Sequence, residues 1–168
     1  MDSRQIIYDA FLKPFEDAGR NNIGVELEFP MVNNAKEPVD QPLMHKMLES
    51  FLNDDFKAEE FDREGRPVFI SDKNGDVLSF DNSYNNFEFS MDKADSLTVV
   101  ADRFYKLLNR VQNFLKPYGY ELKGVGSNPN KEYITSSPVS FEIYALIKAF
   151  LSKYQGGSYH SYIDFPAY

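Results

Sequence analysis

Hydrophobic positions recur along this chain with two distinct periods, and the switches between them divide it into elements. From residue 3 to residue 18, Ile6, Ile7, Ala10, Phe11 and Phe15 fall at helical spacing and Gly19 ends the run, which predicts a first helix in spite of Pro14. Residues 22–32 alternate instead: Ile23, Val25, Leu27 and Phe29 interleave with Gly24, Glu26 and Glu28, the signature of a half-buried strand. A short helix is expected over 40–53, capped by Asp40 and burying Leu43, Met47, Leu48 and Phe51. The stretch from Asn53 to Arg66 is rich in Asp, Glu, Lys and Arg and reads as a solvated linker.

Residues 67–72 and 76–81 flank Asn74-Gly75, a pair that tolerates positive φ at the tip of a tight hairpin. In the next segment Phe87, Phe89 and Met91 alternate with Asn86, Glu88 and Ser90, so an antiparallel meander is the economical arrangement. The longest helical rhythm runs over 96–116, where Leu97, Val100, Ala101, Phe104, Leu107, Leu108, Val111, Phe114 and Leu115 form one apolar stripe. Asp95 is the expected cap, and Pro117 and Gly119 the stop. A strand over 120–125, the loop Gly126-Ser127-Asn128-Pro129-Asn130 and a helix over 139–152 opened by Ser137-Pro138 complete the pattern. Together these elements predict an α+β fold with a mainly antiparallel sheet, helices 3–18 and 96–116 lying on its apolar face.

Composition narrows the possibilities. With 168 residues, 42% hydrophobic and 15% aromatic, the chain can bury one sizeable core. The formal charge of −8 argues against nucleic acid and anionic lipid as partners. The absence of cysteine rules out disulfides, thiolate metal sites and cysteine nucleophiles. No run reaches a membrane-spanning length, and the start shows no secretory pattern, so a cytoplasmic protein is expected. The closing residues 159–168 are dense in aromatics without a polar tail, which is the expectation for a chain that continues or meets a partner.

The candidate chemistry lies in the two alternating strands. Period two turns Glu26 and Glu28 to one side, and Glu88 repeats the design beside Asp81 and a loop of small polar residues. Neither segment contains Lys or Arg. Such acids are either the wet side of an ordinary sheet or oxygen ligands for a cation, Mg2+ being the natural choice. Ser83, Tyr84 and Asn85 either line a substrate pocket or simply form a turn. The loop at 126–128 either offers backbone amides to substrate or only connects strand to helix. His160 is read as a packing residue rather than a phosphate or metal contact, and His45 is given no role.

Gly24-Val25-Glu26-Leu27-Glu28-Phe29, the segment from Asp81 to Glu88 with its Phe-Glu-Phe-Ser ending, and Gly124-Val125-Gly126-Ser127-Asn128-Pro129 resemble, in this order, the glutamate-cysteine ligases (γ-glutamylcysteine synthetases). The resemblance covers roughly residues 22–168, and members of that family are considerably longer. It implies a glutamine-synthetase-like catalytic fold, with residues 1–168 the amino-terminal portion of a single catalytic domain and the remainder of the same polypeptide supplying the nucleotide-binding segments. It further implies ATP-dependent joining of the glutamate γ-carboxylate to the amine of cysteine through an acyl phosphate, the first step of glutathione synthesis. Matching positions make Glu26, Glu28 and Glu88 Mg2+ ligands, while Asp81 either binds metal or orients substrate. A binding domain of ligase descent that holds Mg2+ or an amino acid without catalysis is the alternative, and a purely structural acidic module a third.

Overall fold

A computed structural model describes residues 2–16, 22–52, 55–130, 132, 137–151 and 153. An open six-stranded antiparallel sheet runs in the order β2-β3-β4-β5-β1-β6. Its strands are β1 (Ile23–Asn33), β2 (Lys57–Phe61), β3 (Pro67–Ser71), β4 (Val77–Phe80), β5 (Asn86–Ala94) and β6 (Tyr120–Leu122). The helices are α1 (Ser3–Ile7), α2 (Lys13–Glu16), α3 (Gln41–Glu49), α4 (Leu97–Leu115) and α5 (Glu142–Leu151). Strands β2 to β5 form the expected meander, and β1 returns beside β5 to make the longest pairing in the sheet.

Alternation along the central strands sorts the side chains. Val68, Ile70, Leu78, Phe80, Phe87, Phe89 and Met91 are buried on the apolar face, with Val25, Leu27 and Phe29 packed against them. On this face α4 contributes Val100, Phe104, Val111 and Leu115, and α3 contributes Leu43, Met44, Met47 and Leu48. Phe104 joins the two layers, stacking on Phe29 at 6.0 Å and meeting the Phe89 edge at 5.3 Å between centroids. Each fully buried Phe, Leu or Met side chain is worth about 1.5–3 kcal/mol over its exposed state, so this aromatic seam fixes where the sheet sits against α4. The opposite face carries acidic and hydroxyl side chains, with Phe69 of β3 among them.

Helix α3 starts where expected, with the Asp40 carboxylate accepting the Leu43 amide at 3.1 Å, but it ends at Glu49 rather than continuing to residue 53. Helix α4 is capped by Ser96, whose side chain accepts the Val99 amide, and not by Asp95. The hydroxyl one position later sits at the distance an N-cap requires, because the regular turns begin at Leu97. Leu97 itself is exposed and does not belong to the core stripe. A 3-10 turn through Pro117 and a left-handed Gly119 (φ 77°) end the helix as its sequence predicts.

Three other expectations are corrected. The first helix exists, yet Ile6, Ile7, Phe11 and Leu12 are all more than half exposed, so it does not lie on the apolar face of the sheet. It is also interrupted by a π-helical turn, Tyr8–Leu12, in which the Lys13 amide reaches back to the Tyr8 carbonyl. Pro14 has no N–H to give and its ring crowds the preceding turn, and the wider turn accommodates it. Residues 57–61 are an edge strand, not a linker. They lead into Asp62, whose carboxylate accepts the amides of Glu64 and Arg66 and the Arg66 guanidinium at 2.8 to 3.0 Å. Charge-rich composition is compatible with a sheet edge, where charges also deter further pairing.

The β3-β4 connection turns where the sequence places it, over residues 73–75, with the Asp72 amide donating to the Asp76 carbonyl at 2.9 Å. Gly75 donates to the Asp72 carbonyl and takes the positive φ of 87°, while Asn74 keeps an ordinary backbone. Finally, β6 stops at Leu122 and α5 starts at Glu142, several residues later than the Ser137-Pro138 signal. Residues 137–139 are engaged elsewhere: Ser137 accepts the Tyr84 amide, Pro138 bridges Ser83, and Val139 donates to Asn82. The start of α5 consequently stands on the polar side of the sheet, so the helices do not all occupy one face. Residues 159–168, with His160, lie outside the described residues.

Candidate functional site

Register brings the predicted acids together. Glu28 of β1 is directly opposite Glu88 of β5, and Glu26 is directly opposite Ser90. Opposed residues of an antiparallel pair project to the same side, so Glu26, Glu28 and Glu88 share the polar face. The row continues from Glu88 to Ser79 of β4, Phe69 of β3 and Glu60 of β2. Asp81 follows the last residue of β4 and borders the same face, lining a cleft of about 270 Å³ with Glu60, Ser79, Glu88 and Tyr144.

Electrostatically this group differs from an ordinary wet sheet. None of the ion pairs among the described residues involves Glu26, Glu28, Asp81 or Glu88. Burial, then the charges of Glu28 and Glu88, push the Asp81 carboxyl up to about 6, a rise that the Asn82 side-chain amide donating to it only partly offsets. Glu88 is also raised, by burial and by Glu26 and Glu28, against the pull of the Ser90 hydroxyl donating at 2.5 Å. Like charges placed directly opposite across strands are unfavourable by themselves. The carboxylates are held apart from cations and close to one another, which is the electrostatic state a bound divalent ion would relieve.

Neighbouring elements shape the approach to this face. A second cleft, of about 320 Å³, is lined by Glu26, Glu28 and Phe29 together with Gly124, Val125 and Gly126. The glycine-containing loop thus borders the acidic row directly. A third, of about 440 Å³, lies between Gly24, Glu26, Ser90 and the Gly75 turn. Small residues matter there: a Cβ on Gly24 would come within 3.2 Å of the Met91 carbonyl, and one on Gly75 within 3.0 Å of the Asp92 carboxylate. From the α5 side, the Tyr144 hydroxyl accepts the Asn82 amide at 3.1 Å and pins the loop that carries Asp81.

The loop residues read as either pocket lining or turn formers are buried in the fold. Ser83, Tyr84 and Asn85 are 0, 1 and 2% exposed. The Ser83 hydroxyl donates to the Ser137 carbonyl, the Asn85 side chain donates back to Ser83, and the Asn85 carbonyl accepts the Met31 amide. Tyr84 points into the core against Phe80 and His45 and donates to Asp62 at 3.3 Å. Their burial is what the turn-forming alternative expects. In the loop after β6, Asn128 is likewise structural, its side-chain amide donating to the Met31 carbonyl at 2.7 Å.

Comparison of the chain with family models, with curated proteins and with solved structures returns no match. The site must therefore be judged on its own chemistry. Its donors are all oxygens, which suits a hard cation such as Mg2+ and not one that prefers sulfur or imidazole. No group of three or more Asp, Glu or His side chains among the described residues is arranged to hold an ion by itself. Mg2+ asks less than that, because it keeps several waters and is commonly held by one or two carboxylates. Sequence reasoning missed two contributors, Tyr144 and Asn86. The first had no local signal, since its partner lies 62 positions away. The second was on the acidic face by strand alternation and was passed over as an uncharged neighbour. No described helix is long and apolar enough to cross a membrane.

Proposed function

We propose that this chain supplies the Mg2+-binding acidic wall of an ATP-dependent carboxylate-amine ligase that joins the γ-carboxylate of glutamate to the amine of cysteine, working in the cytoplasm. One observation carries the reading: Glu28 directly opposes Glu88, with Glu26 and Asp81 on the same face and no Lys or Arg paired to any of them among the described residues. Glu28 and Glu88, assisted by Glu26 and Asp81, would hold the ion. Bound there, Mg2+ would neutralise the phosphate oxygens of ATP as the phosphoryl group passes to the substrate carboxylate. The chain's own residues then have three tasks. Asn86 and Ser90 hold Glu28 and Glu88 in place through hydrogen bonds of 2.9 and 2.5 Å. Tyr144 anchors the loop that presents Asp81. The loop at 124–126 walls the cleft beside Glu26 and Glu28, where an extended small substrate has room.

Burial of Ser83, Tyr84 and Asn85 favours a second reading, a domain that binds Mg2+ without catalysis, because it withdraws three polar loop residues from any substrate. The two are separated by incubating the full gene product with ATP, Mg2+, glutamate and hydroxylamine, which traps an acyl phosphate as the hydroxamate. The ligase reading expects hydroxamate that depends on both ATP and glutamate and falls at least a hundredfold in Glu28→Gln. Absence of product together with measurable Mg2+ binding supports the binding domain. Absence of both rejects the acidic wall itself.

A further inference from the structure

Beside the acidic row stands one buried side chain that is only half partnered. Asn86 opens β5 two positions before Glu88 and is 2% exposed. Its Nδ2 donates to Glu28 Oε2 at 2.9 Å. That bond decides how the amide is turned, since the reverse orientation would set an amide oxygen against a carboxylate oxygen. The other head of the same amide, Oδ1, has no hydrogen-bond partner among the described residues. A buried acceptor without a donor is a cost to the fold, and such groups call for a specific explanation.

The surroundings supply one. Around this amide are Glu28, which its own Nδ2 holds, Glu88 opposite Glu28, and Asp81 at the adjoining end of β4. Charged carboxylates offer further acceptors and no proton to share. What a cluster of carboxylate oxygens and one unpaired amide oxygen has in common is affinity for a hard cation. We propose that Asn86 Oδ1 is a ligand of the divalent cation held by Glu28 and Glu88, so that one amide both orients a carboxylate ligand and contributes an oxygen of its own. The inference rests on the acidic-wall reading and adds to it the residue that lets the wall work. An amide oxygen ligates without adding a further negative charge to a row that already carries several. Two carboxylates, one amide oxygen and retained water satisfy an octahedral ion where three grouped acids are lacking.

The test uses the 168-residue chain and Mg2+ itself, titrated by calorimetry at constant ionic strength into the parent, Glu28→Gln, Asn86→Ala and Asn86→Asp. Asn86→Ala should weaken Mg2+ binding about tenfold, and Asn86→Asp, which keeps an oxygen at the ligating position, should restore or exceed the parent affinity. If Asn86 only steadies Glu28 through its N–H, the Asp variant loses that donor too and binds as weakly as the Ala variant, which overturns the proposal. Parent-like binding by Asn86→Ala with weakened binding by Glu28→Gln overturns it while leaving the acidic wall intact. No Mg2+ binding by the parent at tens of millimolar rejects wall and ligand together. A measurement free of folding effects accompanies these: in the parent protein the Asn86 side-chain carbonyl carbon should shift on Mg2+ addition more than that of solvent-exposed Asn74. An unmoved Asn86 signal in Mg2+-saturated protein rejects the proposal.

Discussion

Of the acids that this protein takes out of water, Asp62 and Asp81 are shifted in opposite directions. The Asp62 side chain is fully buried, yet its carboxyl is held below the ordinary range: burial alone would raise it, but the Arg66 amide and guanidinium, with His45 beyond, more than compensate. Asp81 is less enclosed and is pushed up to about 6, because its neighbours are Glu28 and Glu88. Burial costs both groups, and company decides the sign. Asp62 carries its counter-charge within the fold, where Tyr84 and two backbone amides complete its hydrogen bonds. His45 stands 3.6 Å away with its pKa lowered by burial and by Arg66. The Asp62 carboxylate's partners are thus supplied by the chain itself, although the buried His45 Nε2 makes no hydrogen bond among the described residues. The acids on the opposite face receive hydrogen bonds from Asn82, Asn86 and Ser90 but no counter-charge among the described residues, and that is the difference between the two groups.

The largest effect that could break this contrast is expected at Asp62. Asp62→Ala leaves Arg66, the Tyr84 hydroxyl and two turn amides without their acceptor. Leaving the buried Tyr84 hydroxyl and the turn amides unsatisfied should cost about 3 kcal/mol, read as a fall in the urea midpoint with unchanged slope. A cost below 1 kcal/mol would remove the structural half of the comparison. Next in size is the response to metal: Mg2+ at about ten times its dissociation constant should stabilise the parent by roughly 1.4 kcal/mol. A thermal melt at constant ionic strength reads this, and Glu88→Gln should diminish the gain.

Asp81→Asn comes third and should stabilise the metal-free protein at pH 7. A raised carboxyl binds its proton more tightly when folded, so its stability contribution is complete below the ordinary value of 3.8 and is lost as pH rises through about 6. Screened for partial exposure, the gain from removing the charge is about 1 kcal/mol at pH 7 and nothing at pH 4. Asp62 follows the opposite course: its contribution is present above the ordinary carboxylate value and is lost only as acid carries the pH down through its lowered one. Melts of both variants between pH 4 and 7 should therefore diverge in sign. The smallest expected effect belongs to Glu28→Gln, which removes one of two directly opposed charges and keeps an acceptor for Asn86, for a gain of about 0.5 kcal/mol without metal.

Legibility in the sequence divides along the same line. Strand parity requires only counting by two, so the shared face of Glu26, Glu28 and Glu88 follows once β1 and β5 are paired in register. Helix α4 was equally plain, because its stripe is long and tightly periodic. Asp62 was hidden for the reason that makes it structural: in a charge-rich stretch, composition counts charges and cannot show that one of them folds back on Arg66 four residues later. Ser83 to Asn85 look like a solvent loop from their polar side chains, and what buries them comes from elsewhere in the chain, including Met31, His45, Asp62 and residues 137–139. The first helix displays an apolar stripe, but amphipathicity indicates that a face prefers burial without indicating what lies against it.

Carboxyl-carbon NMR of the 168-residue chain, titrated with and without Mg2+, tests the central claim most directly, since it reads the charge state of the acidic face residue by residue. The account predicts that Asp81 titrates near 6 in metal-free protein, that saturating Mg2+ moves its midpoint down toward 3.8, and that Asp62 remains low in both conditions. An Asp81 midpoint near 3.8 from the outset, unmoved by Mg2+, would contradict it and leave the row an ordinary wet face of a sheet.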